Sequence, residues 1–459
     1  ILKSPFYRLF VVQYRNPWYT SSIMTAKKTR KSNRKTHEPV SLASRIRSLP
    51  KTVRAHPKKA ALIASVPLLA LLLFVVFLVM ISRAPRIGIA FYRVPESLKN
   101  AVIAEAEKAP LAKKPGFRII PLEDDKSLTS QLNKNRKIAL LFTEDGYAAE
   151  RLAPISRVTL NEDRRLMPSA MRSSGTSLFP QGKDISSYAL PILIDHLELI
   201  YHKKTFEQIT PPEVFSEIES RAQQIKENKG FLWALSCAGG NDEDLLSFIG
   251  AVYLSQHGDE SYRLFVEALR GNPVLTDLLA TTKLKETLTL LTDWKAKMIL
   301  HPEWYNFTRQ DIEDFMWMQR APMAVISLSH HRAIANSTLQ NYDSTTFPTH
   351  SDNPDRLIIA PVYVGLRPNP RLDDVVSTDF LRSLITNNVQ ERLASHTGFS
   401  PVNSTAQTRD KQASDLRLWV ARSRRPVPNP FTASLDNPFH RTQLAKALRE
   451  YLSVRGTGY

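Results

Sequence analysis

An uncharged apolar segment occupies residues 60–81, with the sequence AALIASVPLLALLLFVVFLVMI. At ~1.5 Å of rise per residue, a helix of this length extends roughly 33 Å, the thickness of the hydrocarbon core of a bilayer. Pro67 lies in its first half, where a membrane helix tolerates a kink. The segment predicts one transmembrane helix that separates a short N-terminal tail from a large domain.

A cleavable signal peptide is the alternative for this segment. Ser82-Arg83-Ala84 places small residues at the two recognition positions of a cleavage site. However, Pro85 would follow the cut, and the apolar core exceeds the roughly 7–15 residues usual for a signal peptide. We therefore predict a helix that stays attached as an anchor.

The positive charge is concentrated before the apolar segment. Residues 1–59 contain fifteen Lys and Arg and the single acid Glu38, a net charge of +14 out of the total of +18. This distribution predicts that the tail stays in the cytoplasm, is disordered, and is attracted to anionic lipids. Because the chain begins with Ile, Met24 is a candidate for the natural start.

The domain after the segment is close to neutral, since only +4 of the net charge remains for it. A nucleic-acid-binding domain is therefore disfavoured. The single cysteine, Cys237, cannot form an intramolecular disulfide, so the hydrophobic core must stabilise this domain.

Short apolar runs alternate with amphipathic stretches from residue 86 onward, which is typical of strand-helix units in an α/β domain. The first five elements predict the order βαβαβ. The motif Thr210-Pro211-Pro212-Glu213 predicts the capped start of a helix. Strands are predicted at 86–93, 117–122, 137–142, 188–201 (a pair), 231–235, 323–328 and 356–364, and helices at 95–108, 127–133, 242–256, 261–270, 283–299, 309–319, 378–394 and 442–452.

Three segments, in order, resemble the family-1 extracellular solute-binding proteins, the bilobed receptors of ABC importers for sugars and related solutes. They are residues 189–212 with Tyr201-His202-Lys203, residues 315–329 (FMWMQRAPMAVISLS), and residues 380–402, which contain Thr397-Gly398-Phe399. The chain departs from the family at Gln319-Arg320, where a Gly-Lys is usual, and at Gly365, where a glycine pair is usual. The lipid-attachment cysteine of many members is missing, as expected if the transmembrane helix is the anchor.

The resemblance implies a bilobed α/β domain over residues 86–459, with lobe 1 formed by about 86–190 and 311–358 and lobe 2 by about 191–310 and 359–459. It implies reversible capture of a carbohydrate or polar metabolite for ABC permease subunits, with no cofactor and no covalent chemistry. The location would be the bacterial cytoplasmic membrane, with a single pass and an extracytoplasmic domain. Two alternatives stay open: an envelope interaction or structural protein that kept the fold but lost the ligand, and a ligand-sensing subunit.

The same resemblance places candidate ligand contacts in loops after strands and at the crossings between lobes. By position these are Tyr92, Arg93, Glu144, Asp145, Tyr147, Asp195, His196, Trp233, Ser236, Ser329, His330 (with His331) and Tyr363.

Enzymatic and metal chemistry find little support in the sequence. His330 and His331 are adjacent and would point to opposite faces of a strand, and no His-Glu-x-x-His or Cys/His ligand pair is present. Cys237 has no base and orienting partner nearby in the sequence, so we predict a small buried apolar residue there. No catalytic residue and no metal site are therefore predicted.

Overall fold

The computed structural model describes residues 71, 73–74, 87–109, 116–152, 165, 167, 189–350, 357–369, 375–407 and 425–454. The chain divides into two units, Ile1–Ser82 and Arg83–Tyr459. Of the predicted membrane span, only Leu71, Leu73 and Phe74 are described, and they are helical and exposed. Among the described residues, no helix combines the length and the apolarity needed to cross a membrane. The predicted tail and the rest of the span lie outside the described residues.

Among the described residues, the second unit contains two mixed β-sheets, of six and four strands, and one two-stranded parallel sheet, all packed with helices. The strands are β1 (Ile87–Tyr92), β2 (Phe117–Ile120), β3 (Ile138–Glu144), β4 (Leu190–Ile194), β5 (Leu197–His202), β6 (Leu235–Cys237), β7 (Met323–Ser327), β8 (Tyr342–Thr346), β9 (Leu357–Ile359), β10 (Val362–Leu366), β11 (Ser400–Pro401) and β12 (Arg425–Val427).

The helices alternate with these strands along most of the chain. They are α1 (Glu96–Lys108), α2 (Leu128–Lys134), α3 (Tyr147–Glu150), α4 (Glu217–Lys229), α5 (Asp242–Gly271), α6 (Leu275–Thr281), α7 (Leu284–Ala296), α8 (Arg309–Trp317), α9 (Leu328–Ala333), α10 (Asn336–Leu339), α11 (Val375–Ser383), α12 (Asn387–Thr397) and α13 (Pro438–Val454).

Lobe 1 is built on a six-stranded sheet of order β11-β4-β10-β3-β1-β2. β1 pairs in parallel with β2 and β3, whereas β10 lies antiparallel between β3 and β4. All six residues of β1 (IGIAFY) are buried, as expected for a strand covered on both faces. The sequence therefore correctly predicted the βαβαβ start of this lobe.

Lobe 2 is built on a four-stranded sheet of order β6-β7-β5-β8. The long helix α5 packs into its core and bends at Gly258, whose φ of 76° lies in the left-handed region that glycine adopts readily. This bend explains why the sequence pattern predicted two separate helices there. The C-terminal helix α13 also belongs to this lobe, because Leu444 and Leu448 lie in the same hydrophobic core.

The predicted composition of the lobes needs correction. β7 and β8, within the segment 311–358 predicted for lobe 1, pair with β5 in the lobe 2 sheet. β10 and β11, predicted for lobe 2, lie in the lobe 1 sheet. An apolar run indicates a strand but does not indicate which sheet the strand joins, and this is the physical reason for the exchange.

Three predicted elements also differ locally. The chain at Thr210-Pro211-Pro212 is not helical: Val214 bridges Thr349, and the helix begins only at Glu217. The predicted strand 356–364 is interrupted at Pro361, which lacks a backbone N–H. The predicted helix 378–394 is two helices, α11 and α12.

Candidate functional site

The two described crossings between the lobes lie side by side. The chain passes from β4 to β5 through Asp195 and His196, and from β9 to β10 through Ala360 and Pro361. The backbone N–H of Asp195 donates to the carbonyl of Pro361 at 2.8 Å. Because both crossings are short and bonded to each other, they form a hinge at which the lobes meet.

Two cavities open at this hinge, and both are lined by residues of the two lobes. The first, which we call the Glu144 pocket, has a volume of about 420 Å³ and includes Glu144 of lobe 1 and Arg441 of lobe 2. The second, the Ser329 cleft, has a volume of about 1490 Å³. Four residues line both cavities, which makes them parts of one inter-lobe cleft: Pro95, Asp195, Arg309 and Tyr363.

Lobe 1 contributes side chains at the ends of its strands. Arg93 follows β1 with a φ of 52°, and its backbone N–H donates to the Asp124 carboxylate at 2.7 Å. Glu144 ends β3 opposite Tyr363 of β10. Burial raises the pKa of Glu144 to about 7, an effect that the nearby Arg441 and Arg93 only partly oppose. The Tyr363 pKa is also raised by burial, and then by Glu144 and Asp195.

Asp195, at the first crossing, has a fully hydrogen-bonded carboxylate. It accepts the Ser329 hydroxyl at 2.6 Å, the Ser329 backbone N–H at 3.2 Å and the His196 backbone N–H at 2.9 Å. These donors favour the ionised form, but burial is the larger effect and raises the pKa of Asp195 to about 6. The carboxylate is therefore held rigidly at the wall of both cavities.

Lobe 2 contributes charges from helix ends. Asn241 caps α5 by accepting from the backbone N–H groups of Glu243 and Asp244, and three acids occupy the first turn, where the helix dipole favours them. Arg309 begins α8 and holds the Asp244 carboxylate with two bonds of 2.8 Å. Arg441, a buried residue of α13, pairs with Glu243.

A cluster of buried histidines lies at the wall of the cleft, beside the first crossing. Glu198 is fully buried, and its carboxylate lies 2.5 Å from His331 Nδ1 and 3.5 Å from His196 Nε2. Burial lowers the pKa of His196 to about 4. His330 contacts Glu313 at 3.0 Å. His330 and His331 lie on helix α9 and not in a loop after the strand, where they were predicted.

Seven of the predicted contact residues line the cleft. The Glu144 pocket contains Arg93, Glu144, Asp195, His196 and Tyr363, and the Ser329 cleft adds Ser329 and His330, together with His331.

The other five lie elsewhere and have structural roles. The Tyr92 hydroxyl donates to the carbonyl of Lys126 at 2.9 Å, and Tyr147 stacks under the Arg270 guanidinium at 4.7 Å. The Asp145 backbone N–H donates to the carbonyl of Val362 in strand β10. Trp233 packs against His301 and Phe315, and Ser236 is buried inside β6.

Sequence reasoning missed the charged residues that lobe 2 supplies to the Glu144 pocket: Asp242, Glu243, Asp244, Arg309 and Arg441. Acids in a first helical turn and a basic residue after a capping Thr are typical of ordinary helix termini. The pattern DED at the start of α5 was therefore not distinguishable from normal capping.

Few described residues suit a metal or a cofactor. Among the described residues, no group of three or more His, Cys, Asp and Glu side chains is arranged to hold a metal ion. Burial raises the pKa of the Cys237 thiol well above its usual value, which keeps the thiol protonated and unreactive. The cleft presents instead hydrogen-bonding and charged groups suited to reversible binding.

Comparison with protein-family models and with curated protein sequences finds no match. Solved structures do match. The bacterial solute receptor AcbH, described with an exclusive preference for β-D-galactopyranose, has 13% identity, a TM-score of 0.60, and covers 82% of this chain and 94% of its own. The GacH receptor of Streptomyces glaucescens, solved unliganded and with acarbose, has 15% identity, a TM-score of 0.53, and covers 81% and 96%.

A sugar transporter of Bacillus licheniformis, solved in complex with stachyose, has 11% identity, a TM-score of 0.55, and covers 80% of this chain and 98% of its own. At these identities the likeness establishes the fold. The chain therefore has the bilobed α/β fold of these solved structures, as its sequence predicted.

Proposed function

We propose that this chain is a divergent family-1 solute-binding protein that captures a small polar solute between its lobes and delivers it to the permease subunits of an ABC importer. The observation that carries the proposal is the convergence of polar groups from both lobes on a cleft at the hinge of a receptor fold. In this fold, ligand is held between the lobes and closure removes it from water.

The cleft differs in character from an aromatic-lined sugar site. Of the described Tyr, Phe and Trp residues, Tyr363 and Phe399 line the two cavities, with ring centroids 5.0 Å apart. The remaining lining is rich in carboxylates and guanidinium groups. This composition supports a solute recognised mainly by hydrogen bonds and charge.

The proposal is tested by a thermal-shift screen of residues 84–459 against sugars, amino sugars, amino acids and polyamines. Ligand at about 100 times its dissociation constant adds about 2.7 kcal/mol to the free energy of unfolding, so the midpoint rises by several degrees. Small-angle scattering with the hit should show a smaller radius of gyration on closure. No shift with any compound, for a protein shown to be folded by circular dichroism, contradicts the proposal.

The alternative of an interaction protein that has lost its ligand is favoured by one observation. Arg309 and Arg441, which line the Glu144 pocket, are already paired within lobe 2, with Asp244 and Glu243. Capture of envelope proteins in cross-linking experiments, combined with a negative thermal-shift screen, would support this alternative.

We also propose that residues 60–81 tether the domain to the cytoplasmic membrane, with the N-terminus inside and the basic tail on anionic lipid. The support is the uncharged length of the segment and the twelve basic residues between Lys27 and Lys59, against Arg83 and Arg86 after it. The full chain should remain with membranes after carbonate extraction, and a variant that lacks residues 60–81 should not. Extraction of the full chain by carbonate would contradict the tether.

A further inference from the structure

The Glu144 pocket has an excess of negative charge. Nine ionisable Asp, Glu and Arg side chains line it, three of them basic and six acidic: Arg93, Arg309, Arg441, Asp124, Glu144, Asp195, Asp242, Glu243 and Asp244. With all of these groups ionised, the formal charge of the lining is −3. An enclosed space with this lining repels anions and attracts cations.

Three of the acids already have cationic partners. Asp244 binds Arg309, Glu243 binds Arg441, and Asp242 lies 2.7 Å from Arg449 Nη1 on helix α13. These pairs lie within lobe 2. The carboxylates of Asp244 and Glu243 already offset the charges of Arg309 and Arg441, which leaves little attraction for an anionic solute.

Two other acids have no cationic partner within ion-pair distance among the described residues. Glu144 Oε1 is buried and has no hydrogen-bond donor there. The Asp195 carboxylate accepts only from uncharged donors, the hydroxyl and N–H of Ser329 and the N–H of His196. Arg93 makes no ion pair with a described carboxylate, so its charge could offset one of these two acids. At least one negative charge then remains without a cationic partner.

Closure of the lobes would remove water from these carboxylates. Burial of an ionised carboxylate without a cation costs free energy, and a bound cation offsets that cost. Tyr363 lines the same pocket, and the charges of Glu144 and Asp195 both raise its pKa. An aromatic ring beside two acids is a further favourable surface for a cation.

We propose that the solute of the Glu144 pocket carries a protonated amine, which binds between Glu144 and Asp195 beside Tyr363. The buried Nε of Arg441 has no hydrogen-bond partner among the described residues and offers a donor to a solute hydroxyl. The solute class is therefore an amino sugar or another small amino polyol. This inference rests on the proposed solute-binding function and specifies its ligand.

The test is isothermal titration of residues 84–459 with matched pairs that differ only in the amine: glucosamine and glucose, galactosamine and galactose, and 1-amino-1-deoxysorbitol and sorbitol. N-acetylglucosamine serves as a control, because its nitrogen is acetylated and carries no charge. A charge-assisted bond to a carboxylate should make the amine bind about tenfold tighter or more than its neutral partner, and this ratio should fall as salt is added.

The variant Glu144→Gln should reduce the ratio at least severalfold, whereas Glu207→Gln, an exposed acid outside the pocket, should leave it unchanged. If neutral sugars bind as tightly as the amines or more tightly, the inference is wrong and the proposed function stands. If no compound of this panel binds a demonstrably folded protein, the inference is contradicted, and the broader thermal-shift screen decides the proposed function. The ratios of amine to neutral-sugar affinity measured on the wild-type protein test the inference even if the Glu144 variant does not fold.

Discussion

The Ser329 hydroxyl donates to the Asp195 carboxylate at 2.6 Å, and this bond joins the start of helix α9 to the first crossing between the lobes. Asp195 also bonds the second crossing through Pro361. The Asp195 carboxylate therefore links the first crossing to helix α9, whereas the Asp195 backbone N–H links the two crossings to each other. The ionisation state of this carboxylate affects both the first crossing and the wall of the candidate site.

Ser329→Ala should destabilise the protein in a pH-dependent manner. The lost bond is charge-assisted above the Asp195 pKa of about 6, so the variant should lose about 1–2 kcal/mol of unfolding free energy at pH 8 and less at pH 5. Urea denaturation at the two pH values measures this difference. Ser395→Ala, at an exposed position on α12, is the matched control. An equal loss at both pH values would show that the carboxylate is not involved.

Glu144→Gln should remove part of the pH dependence of stability. Burial, opposed by Arg441 and Arg93 and reinforced by Glu243 and Asp145, raises the folded-state pKa from 4.5 to about 7. The folded protein therefore holds a proton that the unfolded chain has released, and stability declines as pH rises from about 4.5 to about 7.

At pH 8 the Gln variant should exceed the wild type by about 1 kcal/mol or more, with little difference at pH 4, in denaturant titrations at both pH values. Asp195 remains and leaves a smaller decline below pH 6. Glu207→Gln is again the control. A wild-type stability that rises between pH 5 and pH 8 in step with Glu144 ionisation would contradict the assignment.

Arg392→Gln should weaken the contact between helices α12 and α1. Arg392 holds Glu105 with bonds of 2.9 and 2.6 Å, and the bond to Arg392 is the largest of the effects that lower the Glu105 pKa to about 2. The stabilisation is present above about pH 4.5 and is lost as pH falls toward 2.

The expected loss for this variant is about 1–2 kcal/mol at pH 7 and less at pH 3, measured by chemical denaturation. Lys446→Gln removes an exposed pair with Glu450 at 3.9 Å and should cost almost nothing. Equal costs for the two substitutions would mean that the Glu105 pair contributes no more than a surface contact.

Gly88→Ala should disrupt the centre of lobe 1. A Cβ at Gly88 would lie 2.2 Å from the backbone oxygen of Lys137, which cannot rotate away as a side chain does. We expect a loss of about 3 kcal/mol or an insoluble product. Gly271→Ala, where no atom lies within 4 Å, should be neutral or slightly stabilising. Melting temperatures of the two variants check the contrast.

The strands at the start of lobe 1 followed closely from the sequence, because apolar runs are local signals. The runs IGIAFY and IALLFTE became β1 and β3, whereas the capping motif predicted at Thr210 did not begin a helix. The assignment of strands to lobes did not follow, since β10 pairs with β3 and β4, both of which lie more than 160 residues earlier in the chain. Pairing over such distances depends on tertiary packing.

The candidate site was predictable where it follows strand ends, as for Arg93, Glu144 and Asp195. It was not predictable where charges come from helix termini or from a helix at the end of the chain. Glu243 and Arg441 lie 198 positions apart and meet only because α13 packs against α5 in lobe 2. Trp233, which was assigned to the site by its position in the sequence, packs instead against His301 and Phe315, because an aromatic residue is equally suited to a cluster of rings.

The position of β10 in the lobe 1 sheet also affects the order in which the two sheets can form during synthesis. All four strands of the lobe 2 sheet lie between residues 197 and 346, whereas β3 and β4 need β10, which follows them in synthesis. Until residue 366 has emerged from the ribosome, β3 presents an unpaired edge with largely buried-type side chains. Such edges are aggregation-prone, so the sheet of lobe 1 stays vulnerable for longer during synthesis than the sheet of lobe 2.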